Sequence, residues 1–260
     1  MRKVAIIPAR MASSRFPGKP MARIHGMPMI GHCFHRVSMC DQIDETYVAT
    51  CDIEIGQYIE KIGGKVIMTS SKHERASDRA AEAMLKIEDS TGKRTDILVM
   101  VQGDEPMDTP SMISSAILPM TADAKVDVVN LMGNIESTRE FEDPNTVKVV
   151  TDQLSNALYF SREPIPSRQK GIASVPMLKQ ICIIPFRRDF LIKFNALKET
   201  PLEIIESVDM MRVLENGDNV RMVFTKERSF GVDTPEDLLF VEREMEKDLL
   251  MTRYLGARPN

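Results

Sequence analysis

The chain opens on a short apolar run, Val4-Ala5-Ile6-Ile7, cut off by Pro8, and the same texture returns at Thr46-Tyr47-Val48-Ala49-Thr50, Lys65-Val66-Ile67-Met68 and Ile97-Leu98-Val99-Met100-Val101. Short apolar or β-branched runs bounded by polar segments read as strands, buried on both faces where they are apolar throughout. Between them, apolar residues recur at helical spacing: Ile30, Cys33, Phe34 and Val37 within 29–39, a second stretch over 53–62, and Ala80, Ala81, Met84 and Leu85 within 77–88. Strands alternating with helices of this length predict βαβ units, hence an α/β protein with a mostly parallel sheet and helices on both faces, a three-layer arrangement. In such sheets ligands bind beyond the carboxyl ends of the strands, where the strand order reverses. The loops after Ile7 and Val101 are therefore the first places to look for a site.

The second half has a different texture. Strand-like runs at 126–131, 146–150, 156–160 and 180–184 come close together with little helix between, predicting an antiparallel extension over about 126–220 within a single domain spanning 1–260, and residues 220–224 read as a last strand. Residues 161–175 are rich in proline and basic residues and read as a loop or arm. A terminal amphipathic helix is predicted over 236–252, introduced by Thr234-Pro235-Glu236-Asp237: a cap, a proline in the first turn, then acids at the positive end. No internal repeat or low-complexity segment is visible.

Composition narrows the partners. At 260 residues, 43% hydrophobic and 28% charged, the chain has the balance of a globular domain near the upper size for one core. A formal charge of −4 argues against general nucleic-acid binding. No apolar run approaches the roughly 20 residues that cross a bilayer, and the first ten residues meet a proline and an arginine before any signal-peptide core forms, so a cytoplasmic protein is expected. Cys33, Cys40, Cys51 and Cys182 have neither metal-ligand nor disulfide-framework spacing and are expected to be reduced, mostly buried packing residues.

Three cations, Arg10, Arg15 and Lys19, lie in the loop that leaves the first strand. Backbone N–H groups with cations at the ends of such a loop suit a polyphosphate. It is not a Walker loop, because Gly18-Lys19 lacks the upstream glycine and the following hydroxyl residue, and there is no G-x-G-x-x-G. Asp104 and Glu105 directly follow the Ile97–Val101 strand, and Asp233 sits in Gly231-Val232-Asp233-Thr234-Pro235. Taken singly, a solvated basic loop, a turn and a helix cap explain these residues; taken together they make a magnesium–triphosphate site, since Mg²⁺ favours one or two carboxylates plus phosphate oxygens. His73, at the start of the third helix, and Ser77, Asp78 and Arg79 are candidates for nucleotide contact, with helix capping as the alternative. His25, His32 and His35 have no metal spacing and read as structural, and no catalytic triad is visible.

Several blocks of the sequence resemble one family. IIPARMASSRFPGKPMARIHGMPMIGHCFHRV, VQGDEP at 101–106, DPNTVKVV at 143–150, LYFSREPIP at 158–166, RVLENG at 212–217 and FGVDTPEDL at 230–238 are similar, in order, to the CMP-Kdo synthetases (3-deoxy-manno-octulosonate cytidylyltransferases). The blocks span Ile6 to Leu238, and the ordered series is far more specific than any one block. The resemblance implies a sugar-nucleotidyltransferase-like fold, transfer of CMP from CTP to a sugar acid with release of pyrophosphate, Mg²⁺ as cofactor and a homodimer. Carried over position by position, it implies that Arg10, Arg15 and Lys19 bind the triphosphate. Pro8, Ala9, Ser13, Ser77 and Gln102 would place the nucleotide, and Asp104 and Asp233 would hold the metal. Arg162 and Arg168 would face the acceptor's carboxylate, with Asn145 and Lys148 nearby and the 126–220 region serving acceptor binding and dimerisation.

The departures from the family pattern fall mainly on the acceptor side. A family histidine and tyrosine are Gln180 and Ile184 here, and a Glu-Gln pair is Asp209-Met210. On the nucleotide side Arg75-Ala76 replaces Ser-Gly before Ser77, and Cys51 stands where an aspartate is common. Losing hydrogen-bonding groups at Ile184 and Met210 costs roughly 1–3 kcal/mol each if their partners stay unpaired. Three readings therefore stand: CMP transfer to Kdo or a near relative, CMP transfer to another acidic acceptor such as a small phosphonate, and a non-catalytic nucleotide-binding protein.

Overall fold

The computed structural model describes residues 1–13, 15–171 and 175–255, and the chain divides into two compact units, Met1–Ser114 with Ser229–Asn260, and Ser115–Arg228. The first unit begins with β1 (Lys3–Ala9), a 3-10 turn (Lys19–Met21) and a small hairpin, β2 (Arg23–Ile24) with β3 (Met27–Pro28). Then α1 (Met29–Ser38), β4 (Glu45–Thr50), α2 (Ile53–Lys61), β5 (Lys65–Met68), α3 (Ala76–Thr91) and β6 (Ile97–Val101) alternate as the hydrophobic pattern predicts. Within this unit the strands lie in the order β6-β1-β4-β5, all parallel. β6 and all of β1 after Lys3 are buried, which is why both read as continuous apolar runs.

β1 runs on through Pro8 to Ala9 rather than stopping at the proline. Its ladder with β6 ends at Ile6, while pairing with β4 continues to Ala9, so Pro8 removes no N–H from the β6 side. From β1 the chain steps through β4 to β5, and α3 then carries it back to β6 on the opposite side of β1. The strand order therefore reverses between β1 and β6, with the Arg10–Lys19 and Gln102–Asp108 segments at their carboxyl ends.

Helix α4 (Pro110–Ala122) leads into the second unit and is absent from the predicted elements; Pro119 inside it masks the helical pattern. The second unit contains β7 (Val129–Asn134), α5 (Thr138–Glu142), β8 (Lys148–Thr151), β9 (Ala157–Ser161), β10 (Leu178–Ile181), β11 (Ile183–Arg187), α6 (Arg188–Ala196), α7 (Pro201–Glu206), α8 (Met210–Glu215) and β12 (Arg221–Thr225). Its sheet has the order β12-β7-β10-β8-β9, antiparallel except for β12 against β7. The single strand expected over 180–184 is two strands broken at Cys182, and the run expected at 126–131 pairs over 129–134. Helices α5, α7 and α8, five or six residues each and too brief for a clear periodicity, fill what reads as loop, as does the nine-residue α6. Arg212 and Glu203 form a buried bidentate ion pair at 2.7 and 2.6 Å, with the guanidinium also over the Phe194 ring.

Back in the first unit, α9 (Pro235–Met245) starts as expected: Thr234 caps it and exchanges hydrogen bonds with Asp237 in a capping box. The helix expected to continue to 252 breaks, and α10 (Leu249–Leu255) follows. Asp248 causes the break, because its carboxylate accepts from Leu250 N at 2.8 Å and pairs with the buried Arg36 of α1. No helix among the described residues is long and apolar enough to cross a membrane. Cys33 and Cys40 are buried as expected, whereas Cys51 and Cys182 are half-buried.

Candidate active site

The loop after β1 is closed on itself before it reaches Lys19. Gly18 takes a left-handed conformation at φ 76°, which a side chain disfavours, and its N–H donates to Met11 O at 2.9 Å. Met11 N in turn donates to Asp52 Oδ2 at 2.8 Å, pinning the loop to the start of α2. Asp52 stands at that helix's N-cap position without capping it. Nothing in its spacing distinguishes it from an ordinary cap, so the sequence reading passes over it. On the opposite side, Gly103 lets the chain leaving β6 approach β1 closely: a Cβ there would sit 3.0 Å from Pro8 O and from the end of Ile30.

This closure delivers Lys19 to the exits of both strands. Its Nζ donates to Asp104 Oδ2 at 2.6 Å, Val232 O at 3.0 Å and Asp233 Oδ1 at 3.2 Å, which uses all three ammonium protons. Burial alone would lower the Lys19 pKa, but the Asp104 and Asp233 carboxylates outweigh it and hold the value above the ordinary one. Arg15 donates to Asp233 Oδ1 at 3.0 Å. Two carboxylates distant in sequence thus face one ammonium and one guanidinium.

Arg10 leaves this group. Its guanidinium donates to His73 O at 3.3 Å, at the entrance to α3. His73 lies ahead of that helix, which begins at Ala76, and its ring pairs with Glu82. Burial raises the Glu82 pKa, but hydrogen bonds from Lys86, Ser70 N and His73 outweigh it and hold the carboxyl at about 2. Pro8, Ala9 and Ser77 are buried, Gln102 and Ser13 half-buried, and Ser14 lies outside the described residues.

An apolar pad holds the three charged segments together. Phe16 from the loop, Met107 from the segment after β6, and Val232 beside Asp233 pack with Ile24, Met29, Val241, Met245 and Met251. Beside it, Asp108 is buried and Ser229 Oγ donates to its Oδ1 at 2.7 Å, with Glu105 Oε2 3.2 Å from the same hydroxyl. Burial, reinforced by the Glu105 charge, pushes the Asp108 pKa well above the usual carboxylate range. The sequence pattern pointed to Glu105 beside Asp104 but not to Asp108 or Ser229; the available signal for Asp108 was the run of acids in Asp104-Glu105-Pro106-Met107-Asp108.

In the second unit, Arg162 donates to three backbone carbonyls, those of Glu206 (2.6 Å), Pro144 (2.7 Å) and Ser207 (3.2 Å). Lys148 is buried, its Nζ donating to Asp143 O and Thr146 O, and burial lowers its pKa. Arg168 lies over the Phe141 ring, 5.1 Å from its centroid. Gln180 Nε2 donates to Oδ1 of the buried Asn130 at 2.5 Å, and Asn130 donates to Leu131 O and Ile181 O. Ile184 and Met210 are buried, Asp209 is half-buried and Asn145 exposed. Of the expected arm over 161–175, Ile172, Ala173 and Ser174 lie outside the described residues.

The carboxylates of Asp104 after β6 and Asp233 ahead of α9 make a donor set that fits a hard divalent cation. Among the described residues no group of three or more His, Cys, Asp or Glu side chains forms a closed cage. Asp104 and Asp233, facing a common cation, are what Mg²⁺ needs from a protein when phosphate oxygens and water complete its shell.

Cations and carboxylates that meet at the switch point of a parallel sheet suit a nucleotidyltransferase, and residues 4–227 match the model of a family described as cytidylyltransferase. The 3-deoxy-manno-octulosonate cytidylyltransferase of Geobacter metallireducens is 43% identical over 92% of this chain and 95% of its own. That of Syntrophotalea carbinolica is 43% identical over 94% of this chain and 99% of its own. A solved structure of CMP:2-keto-3-deoxy-manno-octonic acid synthetase complexed with CTP superposes with a TM-score of 0.88 at 38% identity, covering 96% of this chain and 100% of that one. The chain belongs to the 3-deoxy-manno-octulosonate cytidylyltransferases.

Proposed function

We propose that this protein transfers CMP from CTP to 3-deoxy-manno-octulosonate, releasing pyrophosphate, with Mg²⁺ as the divalent ion, as a cytoplasmic homodimer. The observation that carries the site assignment is the meeting of Lys19 and Arg15 with Asp104 and Asp233. Such a transfer needs alignment and charge neutralisation more than covalent help.

That arrangement supports the roles of Arg15, Lys19, Asp104 and Asp233, and the family resemblance supplies the others. Arg10, Arg15 and Lys19 bind the triphosphate; Arg15 and Lys19 stabilise the charge that builds on the departing pyrophosphate. Pro8, Ala9, Ser13, Ser77 and Gln102 place the nucleotide. Asp104 and Asp233 hold the metal ion, which when bound polarises the α-phosphate and lowers the pKa of a coordinated hydroxyl. On the acceptor side Arg168, Gln180 and Asp209 supply polar groups, while Ile184 and Met210 supply apolar walls. Arg162, engaged with carbonyls, shapes the same region, and the 126–220 region serves acceptor binding and dimerisation.

The test is pyrophosphate release from CTP and Mg²⁺ with a panel of acceptors: Kdo, its amino and deoxy variants, other 2-keto acids and small phosphonates. Kdo turnover with kcat/KM of about 10⁴ M⁻¹s⁻¹ or higher is the expected result. A phosphonate used far better than Kdo overturns the acceptor, and CTP binding by calorimetry without turnover on any acceptor overturns the enzyme.

A further inference from the structure

Resting on that reading of Asp104 and Asp233, we propose that Ser229 and Asp108 are positioning residues for the metal site, fixing the spacing between its two carboxylates. The two carboxylates come from separate segments, 104–108 after β6 and 229–233 ahead of α9. Lys19 bridges them, but Lys19 also serves the triphosphate, so its bridge does not persist through the reaction. Something independent of the cations must hold the two segments in register.

Two contacts have that property. Val232 N donates to Asp104 O at 2.9 Å, next to the carboxylates themselves. At the far end, Ser229 Oγ donates to Asp108 Oδ1 at 2.7 Å and lies 3.2 Å from Glu105 Oε2. Ser229 is also the residue at which the chain re-enters the first unit, so this bond sets where Asp233 arrives four residues later. The bond is dry, with Ser229 and Asp108 each 2% exposed. Asp108 is a buried carboxyl set beside a second carboxyl, Glu105, a costly arrangement that apolar packing would avoid. A buried acid kept under that penalty, at the one point where the chain returns to the site, marks the Ser229–Asp108 bond as functional support rather than filler.

The experiment measures Mn²⁺ binding to the CTP-loaded protein by electron paramagnetic resonance, alongside kcat, KM for CTP and the melting temperature. Ser229→Ala is expected to weaken Mn²⁺ binding and lower kcat by about 10–100-fold, the usual cost of losing a group that orients a metal ligand. KM for CTP is expected to stay within about twofold, and Ser229→Thr is expected to restore both. Asp108→Asn, which keeps the Oδ1 acceptor, is expected to stay near wild type, and Asp108→Leu to match Ser229→Ala. Wild-type Mn²⁺ affinity and kcat in both Ser229→Ala and Asp108→Leu overturn the proposal. Asp104→Asn separates the two layers: if it leaves Mn²⁺ binding intact the metal-site reading fails, whereas loss there with no effect at Ser229 fails the positioning role alone.

Discussion

His32 gives the sharpest stability prediction. It is buried in α1, and its Nε2 lies 2.9 Å from Ile24 O, a pure acceptor, so Nε2 carries the proton. Nδ1 is therefore unprotonated and accepts the Tyr254 hydroxyl proton at 2.9 Å, while that hydroxyl accepts from Arg36 Nε at 3.1 Å. Burial first, then the Arg36 charge, pull the His32 pKa down to about 4, against the stabilising bond to Ile24 O. A histidine that folds neutral contributes stability fully present above its unfolded pKa of about 6.5 and lost as pH falls towards 4. At about 1.4 kcal/mol per tenfold change in proton affinity, the total is about 3 kcal/mol, most of it lost between pH 6.5 and 4.5. Urea unfolding across that range checks it, with His32→Gln as the non-titrating reference. The wild type is expected to lose about 2 kcal/mol more than the variant from pH 6.5 to 4.5. Parallel curves, within about 0.5 kcal/mol, refute the buried-neutral assignment.

Other outcomes follow from single contacts. Asp104→Asn is expected to lower kcat at least about 10²-fold with an unchanged circular dichroism spectrum; near-normal CMP transfer removes Asp104 from the site. Arg212→Ala leaves Glu203 buried without its partner and is expected to cost about 3–5 kcal/mol in urea unfolding, much of it regained when Glu203→Leu accompanies Arg212→Met. Thr234→Ala removes the cap of α9 and is expected to cost about 1 kcal/mol, lowering the melting temperature by about 2–4 °C in a calorimetric scan.

The amino-acid sequence by itself determined the alternation of β1, β4, β5 and β6 with α1 to α3, because short apolar or β-branched runs and helices with an apolar stripe carry their burial in their periodicity, whereas the β2–β3 hairpin left no such mark. The Thr234 cap was equally local. The candidate site was legible as residue types: three cations after one strand, acids after another and in the last loop. Which of those groups meet was a matter for the tertiary structure. Arg15 and Lys19 reach Asp104 and Asp233 because Gly18 closes the loop and because Phe16, Met107 and Val232 share one apolar pad, while Arg10 turns to His73. The break at Asp248, the split at Cys182 and the Asp52 and Ser229 ties were likewise beyond the linear pattern. Each depends on a partner tens of residues or more away, or on a strand edge, and no local spacing records such a partner.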